Sequence, residues 1–375
     1  MADYVLDLAA LGVRWLHLIA GIAWIGASFY FVWLDNHLEP SAEEGVAGEL
    51  WSVHGGGFYS NRKFTLSPPR MPRTLHWFKW EAYWTWISGF ALLELVYYVH
   101  PGAYLENPAS SIQDWEAVAL SVVLLALGIV VYDAICRSPI GGSGWVLAGL
   151  ALAASMGIEW ALQDVFSGRG AYIQVGAMLG TIMVANVLMV IIPGQRRMVD
   201  AIAAGRTPDV ADGLRGKQRS VHNNYLTLPV LLVMISNHYP VLYGRERAWL
   251  VLGVLFAAGM LIRHFVSLRQ RGRIVLAPAI AATLLLLGLA IALRPHTASG
   301  GSATLEQVRP VIETRCSPCH SGAAAPAGIA FTDDAAITAH EADIRRVVSS
   351  GAMPLGNQTG MTQDERDLVV AWASG

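Results

Sequence analysis

The run Cys316-Ser317-Pro318-Cys319-His320 sets two thiols three residues apart with an imidazole directly after them. On one helical turn both sulfurs reach the vinyl groups of a single porphyrin, and the histidine comes under the iron as its proximal ligand. The alternative is half of a zinc site, which needs two further Cys or His ligands nearby. No cysteine follows Cys319, and His340 is the only later histidine. The motif therefore reads as a covalent haem c attachment site with Cys316 and Cys319 as anchors and His320 as ligand. The distal ligand is expected downstream on a loop. Met353 offers a thioether in Gly351-Ala352-Met353-Pro354, beside a proline that stiffens the chain. Met361 is the competitor, with core packing the usual fate of such a residue.

Two elements must hold this motif. A helix over 304–314 leads into it, and a second over 362–374 opens with Thr362 at the N-cap and Glu365 three residues later, a capping box. The arrangement resembles a small class I cytochrome c. That resemblance implies haem attachment on the outer side of a bacterial inner membrane, so a domain over 304–375 is expected in the periplasm. The preceding 294–303, Arg-Pro-His-Thr-Ala-Ser-Gly-Gly-Ser-Ala, reads as a flexible linker that keeps the domain near the membrane surface.

The remainder, 1–293, is too apolar for a soluble chain. Over all 375 residues, 54% are hydrophobic and 14% charged, against roughly 25% charged in ordinary soluble domains. Apolar runs of about 20 residues span a bilayer. Eight are expected, at 12–34, 79–99, 115–136, 144–163, 171–192, 221–238, 247–267 and 274–293, the first a retained signal anchor. The expected fold class is all-α: an eight-span transmembrane helical bundle with a C-terminal class I cytochrome c domain. Lys and Arg concentrate in 35–79, 193–220 and between the last two spans, where Arg269, Arg271 and Arg273 stand. Those segments read as cytoplasmic, with both termini outside. A net charge of −2 gives no sign of nucleic-acid binding.

Polar side chains inside the spans carry the remaining chemistry, because each is costly in hydrocarbon unless paired or facing a cavity. His17 stands in the first span. It reads either as a histidine bonded to a neighbouring helix carbonyl or as an axial ligand of a second haem, of b type. The run from His17 to Tyr30 resembles the first helix of the membrane protoporphyrinogen IX oxidase family, which implies the haem b role. His238, at the outer end of span six, is the candidate partner ligand, with helix capping as its alternative. A cytoplasmic reductant would otherwise lie about 30 Å from an outer cytochrome. Toward the cytoplasmic side, 76–86 packs His76, Lys79, Glu81 and four tryptophans together. His222-Asn223-Asn224-Tyr225 opens span six at that depth, with His264 in span seven, and His54-Gly55-Gly56-Gly57 lies in a forty-residue loop without evident secondary structure. Such groups suit a flat polar heterocycle, with Glu81, His76 and His222 expected in base and binding roles.

Residues 51–59, 75–90 and the run from His222 to Pro240 resemble the bacterial membrane-integral, cytochrome c-linked urate oxidases (urate hydroxylases). The resemblance implies oxidation of urate to 5-hydroxyisourate, water as the oxygen source, and no hydrogen peroxide. It also implies that electrons pass through the fused cytochrome to a respiratory acceptor, either a cytochrome c or a terminal oxidase. The alternatives are a membrane subunit that only relays electrons from a separate dehydrogenase or quinol, and a haem-regulated transporter or sensor.

Overall fold

The computed structural model describes residues 2–245, 247–294, 303–322, 325, 328–357 and 359–373. Helix α1 (Ala2–His37) is followed by strands β1 (Val46–His54) and β2 (Gly57–Phe64). Helix α2 (Trp80–Leu93) continues through a π-helical turn, Glu94–Tyr98, into the short α3 (Pro101–Tyr104). Then come α4 (Asp114–Arg137), α5 (Gly144–Leu162) and α6 (Gly168–Ala185), which passes through a second π-helical turn, Asn186–Ile191, into α7 (Ile192–Ala203). Helices α8 (Val210–Ser236), α9 (Pro240–Tyr243), α10 (Ala248–Gln270) and α11 (Ala277–Ala292) complete this part.

Among the described residues, five stretches are long and apolar enough to cross a membrane: Tyr4–His37, Asp114–Arg137, Gly144–Leu162, Gly168–Ala203 and Ala248–Gln270. The other three expected spans are helical but differ in kind. α2 is broken by its π turn, α11 is apolar but has 16 residues, and the first half of α8 carries Arg215, Lys217 and Arg219. The bundle is layered around α6. Of its most apolar window 61% is buried, against 6% for α1, which leaves α1 to face the apolar surroundings. Glycines let the inner helices close up. A Cβ on Gly128 of α4 would stand 2.5 Å from Met178 Cγ of α6, and one on Gly176 of α6 would stand 2.8 Å from Val233 of α8.

The forty-residue segment after α1, expected to be irregular, is instead a hairpin, and the fold is mostly rather than wholly helical. β1 and β2 pair antiparallel with Trp51 opposite Ser60 and His54 opposite Gly57. Gly55 and Gly56 form the connection at φ of +59° and +80°. A two-residue turn of that hand matches the strand twist, and glycine adopts it freely.

Toward the C-terminus, α12 (Leu305–Arg315), α13 (Asp334–Ala339), α14 (Glu341–Ser349) and α15 (Gln363–Trp372) gather their own apolar cluster. Its members include Val308, Ile312, Ile344, Val348, Met361 and Val369. Both helices expected around the thiol motif are present, and α15 has its capping box: the Thr362 hydroxyl accepts from Glu365 N–H while Glu365 accepts from Thr362 N–H. Of the expected linker, 295–302 lies outside the described residues. This unit meets the bundle at α9, where a groove runs between Pro240, Gly244 and Arg245 on one side and Ser349, Gly351 and Arg366 on the other.

Candidate functional site

The thiol motif sits on the turn that ends α12. Cys319 N–H and His320 N–H both donate to the Cys316 carbonyl, so the five residues form one tight turn. Both cysteines are free. Cys316 is half-buried, and burial pushes its thiol pKa up to about 11, while Cys319 is exposed. His320 Nδ1 is hydrogen-bonded to the Ile329 carbonyl at 2.9 Å, which makes Nδ1 the N–H nitrogen and leaves Nε2 as the electron-pair donor. Met353 lies in the loop after α14. Its carbonyl accepts from Arg366 Nη1 at 2.8 Å, and the same guanidinium acts electrostatically on the Cys316 thiol, so loop and motif share one side of the unit. Met361 is 3% exposed inside the apolar cluster. Two thiols, a free imidazole nitrogen and an accessible thioether make the donor set that covalent haem requires.

In the bundle, α8 places four successive polar residues, His222, Asn223, Asn224 and Tyr225, about 100° apart around its axis. No single neighbour can take all four, and the helix is accordingly packed against α6 and α10, with side-chain hydrogen bonds reaching α4. On one side, Tyr132 of α4 is hydrogen-bonded to His222 Nδ1 at 2.8 Å. Asn186, the first residue of the second π turn, donates to the Tyr132 oxygen at 3.0 Å and to Asn223 Oδ1 at 2.9 Å. Asn186 thus ties Tyr132 and Asn223 into one network with His222. Arg219 stacks over Tyr132 and donates to Asp133 Oδ1 at 2.6 Å.

On the other side of α8, Tyr225 is hydrogen-bonded to His264 Nδ1 of α10 at 2.8 Å, with Trp145 edge-on to the same imidazole. Arg263, 2% exposed, lies with Cζ 4.1 Å from the centre of the Phe29 ring of α1. Its Nε and Nη2 have no partner among the described residues, and neither do the nearby buried Asn224 Oδ1 and Ser267 Oγ.

The structure does not assemble the trio Glu81, His76 and His222. His76 is exposed and packs edge-on against Phe78, and the Glu81 carboxylate has no hydrogen bond or ion pair among the described residues. His222 is held in the Tyr132 network instead. The reason is position: His76 precedes α2 and Glu81 sits in its first turn, outside the helix packing that encloses α8. Near them, Lys79, Tyr83 and Arg196 line a cavity of about 320 Å³ at the start of α7. His17 makes the carbonyl bond that one of its two readings required, and, as in His320, a bond at Nδ1 leaves Nε2 without a partner. Nδ1 bonds the Thr85 carbonyl at 2.9 Å, with Ser88 Oγ at 3.2 Å, and the ring lies where a Cβ on Gly89 would be. His238 is exposed, and no hydrogen bond or ring contact among the described residues joins it to His17 or its neighbours. The sequence reading held Asn224 within its polar run but missed Arg263 and Ser267 as functional residues; an arginine four residues before a serine inside an otherwise apolar run was the available signal.

A family model described as urate oxidase N-terminal matches residues 3–294, the whole bundle. No curated protein and no solved structure matches the chain.

Proposed function

The chain belongs to the urate oxidase N-terminal family, and from that premise we propose that it oxidises urate within the membrane and passes the electrons to its own C-terminal unit. Urate takes up one water and releases two protons and two electrons to give 5-hydroxyisourate. Because the electrons leave through a one-electron carrier, dioxygen is not consumed and hydrogen peroxide is not formed. The carrying observation is the pairing on one chain of a matched urate-family region ending at 294 and a C-x-x-C-H turn beyond it. Haem c, bound through Cys316 and Cys319 with His320 and Met353 as ligands, supplies one-electron acceptance there.

The chain's own groups have defined tasks. The bundle shields the purine from bulk water and orients it, and an imidazole takes the proton whose loss makes urate electron-rich. His264 suits that task better than His222. Its tyrosine partner has no second hydrogen bond among the described residues, whereas Tyr132 beside His222 is also engaged by Asn186. The C-terminal unit meets the bundle at α9, next to Arg366 and the Met353 loop. Electrons leave from there to a respiratory acceptor. In this reading the bundle lies in the bacterial inner membrane with both termini in the periplasm.

Purified full-length protein tests this under anaerobic conditions with urate and oxidised cytochrome c. Urate-dependent reduction, with one oxygen from labelled water in the product, is expected. Reduction only after a separate dehydrogenase or quinol is supplied would favour the relay reading. Cys316→Ala with Cys319→Ala should remove the haem-stained band on denaturing gels. Met353→Ala should lower the reduction potential, whereas Met361→Ala should destabilise the unit by about 2–5 kcal/mol through a core cavity.

A further inference from the structure

Arg263 is a buried cation whose free charge no carboxylate offsets among the described residues. In an apolar bundle such a group is strongly unfavourable unless something negative completes it. Its two open donors, Nε and Nη2, form one edge of the guanidinium, the edge that binds two adjacent acceptors side by side. Two further unmet polar atoms on α8 and α10 are of the complementary kind: Asn224 Oδ1 accepts, and Ser267 Oγ can donate or accept. The two helices bring these together. α10 touches α8 where Gly259 lies against Leu228 and Pro229, so one turn further on Arg263 comes level with Tyr225, and Ser267 follows on the same face of α10. Phe29 provides an aromatic wall from α1.

We propose that the unpartnered polar cluster of Arg263, Asn224 and Ser267, with Phe29 over the guanidinium, is where urate binds, with the Tyr225–His264 pair beside it as the proton-accepting couple. This deepens the urate reading and rests on it. The urate monoanion presents a carbonyl oxygen beside a deprotonated ring nitrogen, two adjacent acceptors for the open edge of Arg263. Its ring N–H groups suit Asn224 Oδ1, and its flat face suits Phe29. The placement also shortens the electron path. Tyr225 lies 11 residues before Ser236, about 17 Å along α8 at 1.5 Å per residue, so urate sits well inside the hydrocarbon thickness from the C-terminal unit at α9.

The test measures equilibrium binding of radiolabelled urate and the KM of urate-dependent cytochrome c reduction on detergent-purified full-length protein. Arg263→Gln should raise both by about 100-fold, the cost of removing one partner of a buried charged contact. Arg263→Lys should restore only part, because an ammonium lacks the two-pronged edge. Asn224→Leu, similar in volume, should raise both by about tenfold. Intact folding is shown by a single gel-filtration peak and a full-strength covalent haem band. If Arg263→Gln fails that check, Asn224→Leu decides: wild-type binding by a folded variant of either residue overturns the site. Wild-type protein that neither binds nor oxidises urate overturns the family-based reading and the site together. Wild-type turnover beside unaltered variants removes the site alone.

Discussion

Two Tyr–His–Arg clusters flank α8, and they differ in one respect. On the α4 side, Tyr132, His222 and Arg219 are closed by Asp133, which accepts from Arg219 at 2.6 Å and also pairs with Arg137. On the α10 side, Tyr225, His264 and Arg263 have no acid, and four buried polar atoms around Arg263 are left open, counting its own Nε and Nη2 with Asn224 Oδ1 and Ser267 Oγ. The same residue types thus serve different ends. A buried cation with a carboxylate ties helices together; one without is held ready for an anion from outside the chain. Arg219 also keeps Nε and Nη1 free, but its charge is already offset.

The comparison can be broken at several strengths. Arg219→Ala leaves Asp133 facing only Arg137 and opens the α4–α8 contact, and should cost about 3–5 kcal/mol in stability, read by thermal unfolding in detergent. A loss under about 1 kcal/mol would mean that cluster is not structural. Arg263→Leu should act in the opposite direction without urate, leaving stability unchanged or raising it by about 1–4 kcal/mol. The melting shift that wild-type protein shows on adding urate should vanish in it. Strong destabilisation of Arg263→Leu would make the two clusters alike and end the distinction. Tyr132→Phe strands Asn186 and His222 and should cost about 1–3 kcal/mol. Tyr225→Phe should change stability by less than about 1 kcal/mol but alter the pH profile of turnover, which a merely structural hydroxyl would not.

The smallest effect concerns the α7–α8 corner outside the spans. Hydrogen bonds from Arg197 and Arg215 hold the Asp212 carboxyl well below the usual carboxylate range. A depressed folded pKa gives stability that is present above the unfolded value of about 3.9. It is lost as pH falls through the folded value. Acidification below about pH 4 should therefore loosen this corner, with the protection of amides in Ile192–Ala203, relative to their intrinsic exchange rates, falling first, and Asp212→Asn should remove that pH dependence of protection. Both arginines are more than half exposed, so solvent screening keeps the effect modest.

The C-terminal motif was legible because its chemistry is local. Cys316, Cys319 and His320 occupy one turn, and the Thr362–Glu365 capping box depends on residues three apart. The hairpin was legible in principle, since Gly55-Gly56 stands between two strand-like runs, but the short strands are too irregular in polarity to stand out from a loop. The trio Glu81, His76 and His222 shows where such reading stops. Matching depth along separate helices says nothing about which way each helix is turned, and a rotation of 100° per residue decides which side chains meet.

By itself the sequence determined the apolar helical character, the matched urate-family region, the thiol–imidazole motif and the polar run on α8. Composition and short spacing are properties of neighbouring residues along the chain, so no tertiary contact is needed to read them. Only the tertiary structure decided that His17 bonds the Thr85 carbonyl, that Asp133 reaches Arg219 across 86 positions, and that Arg263 stands among unmet polar atoms with no acid beside it. Whether a buried charge has a partner depends on groups distant in sequence, and only helix packing brings those together or keeps them apart.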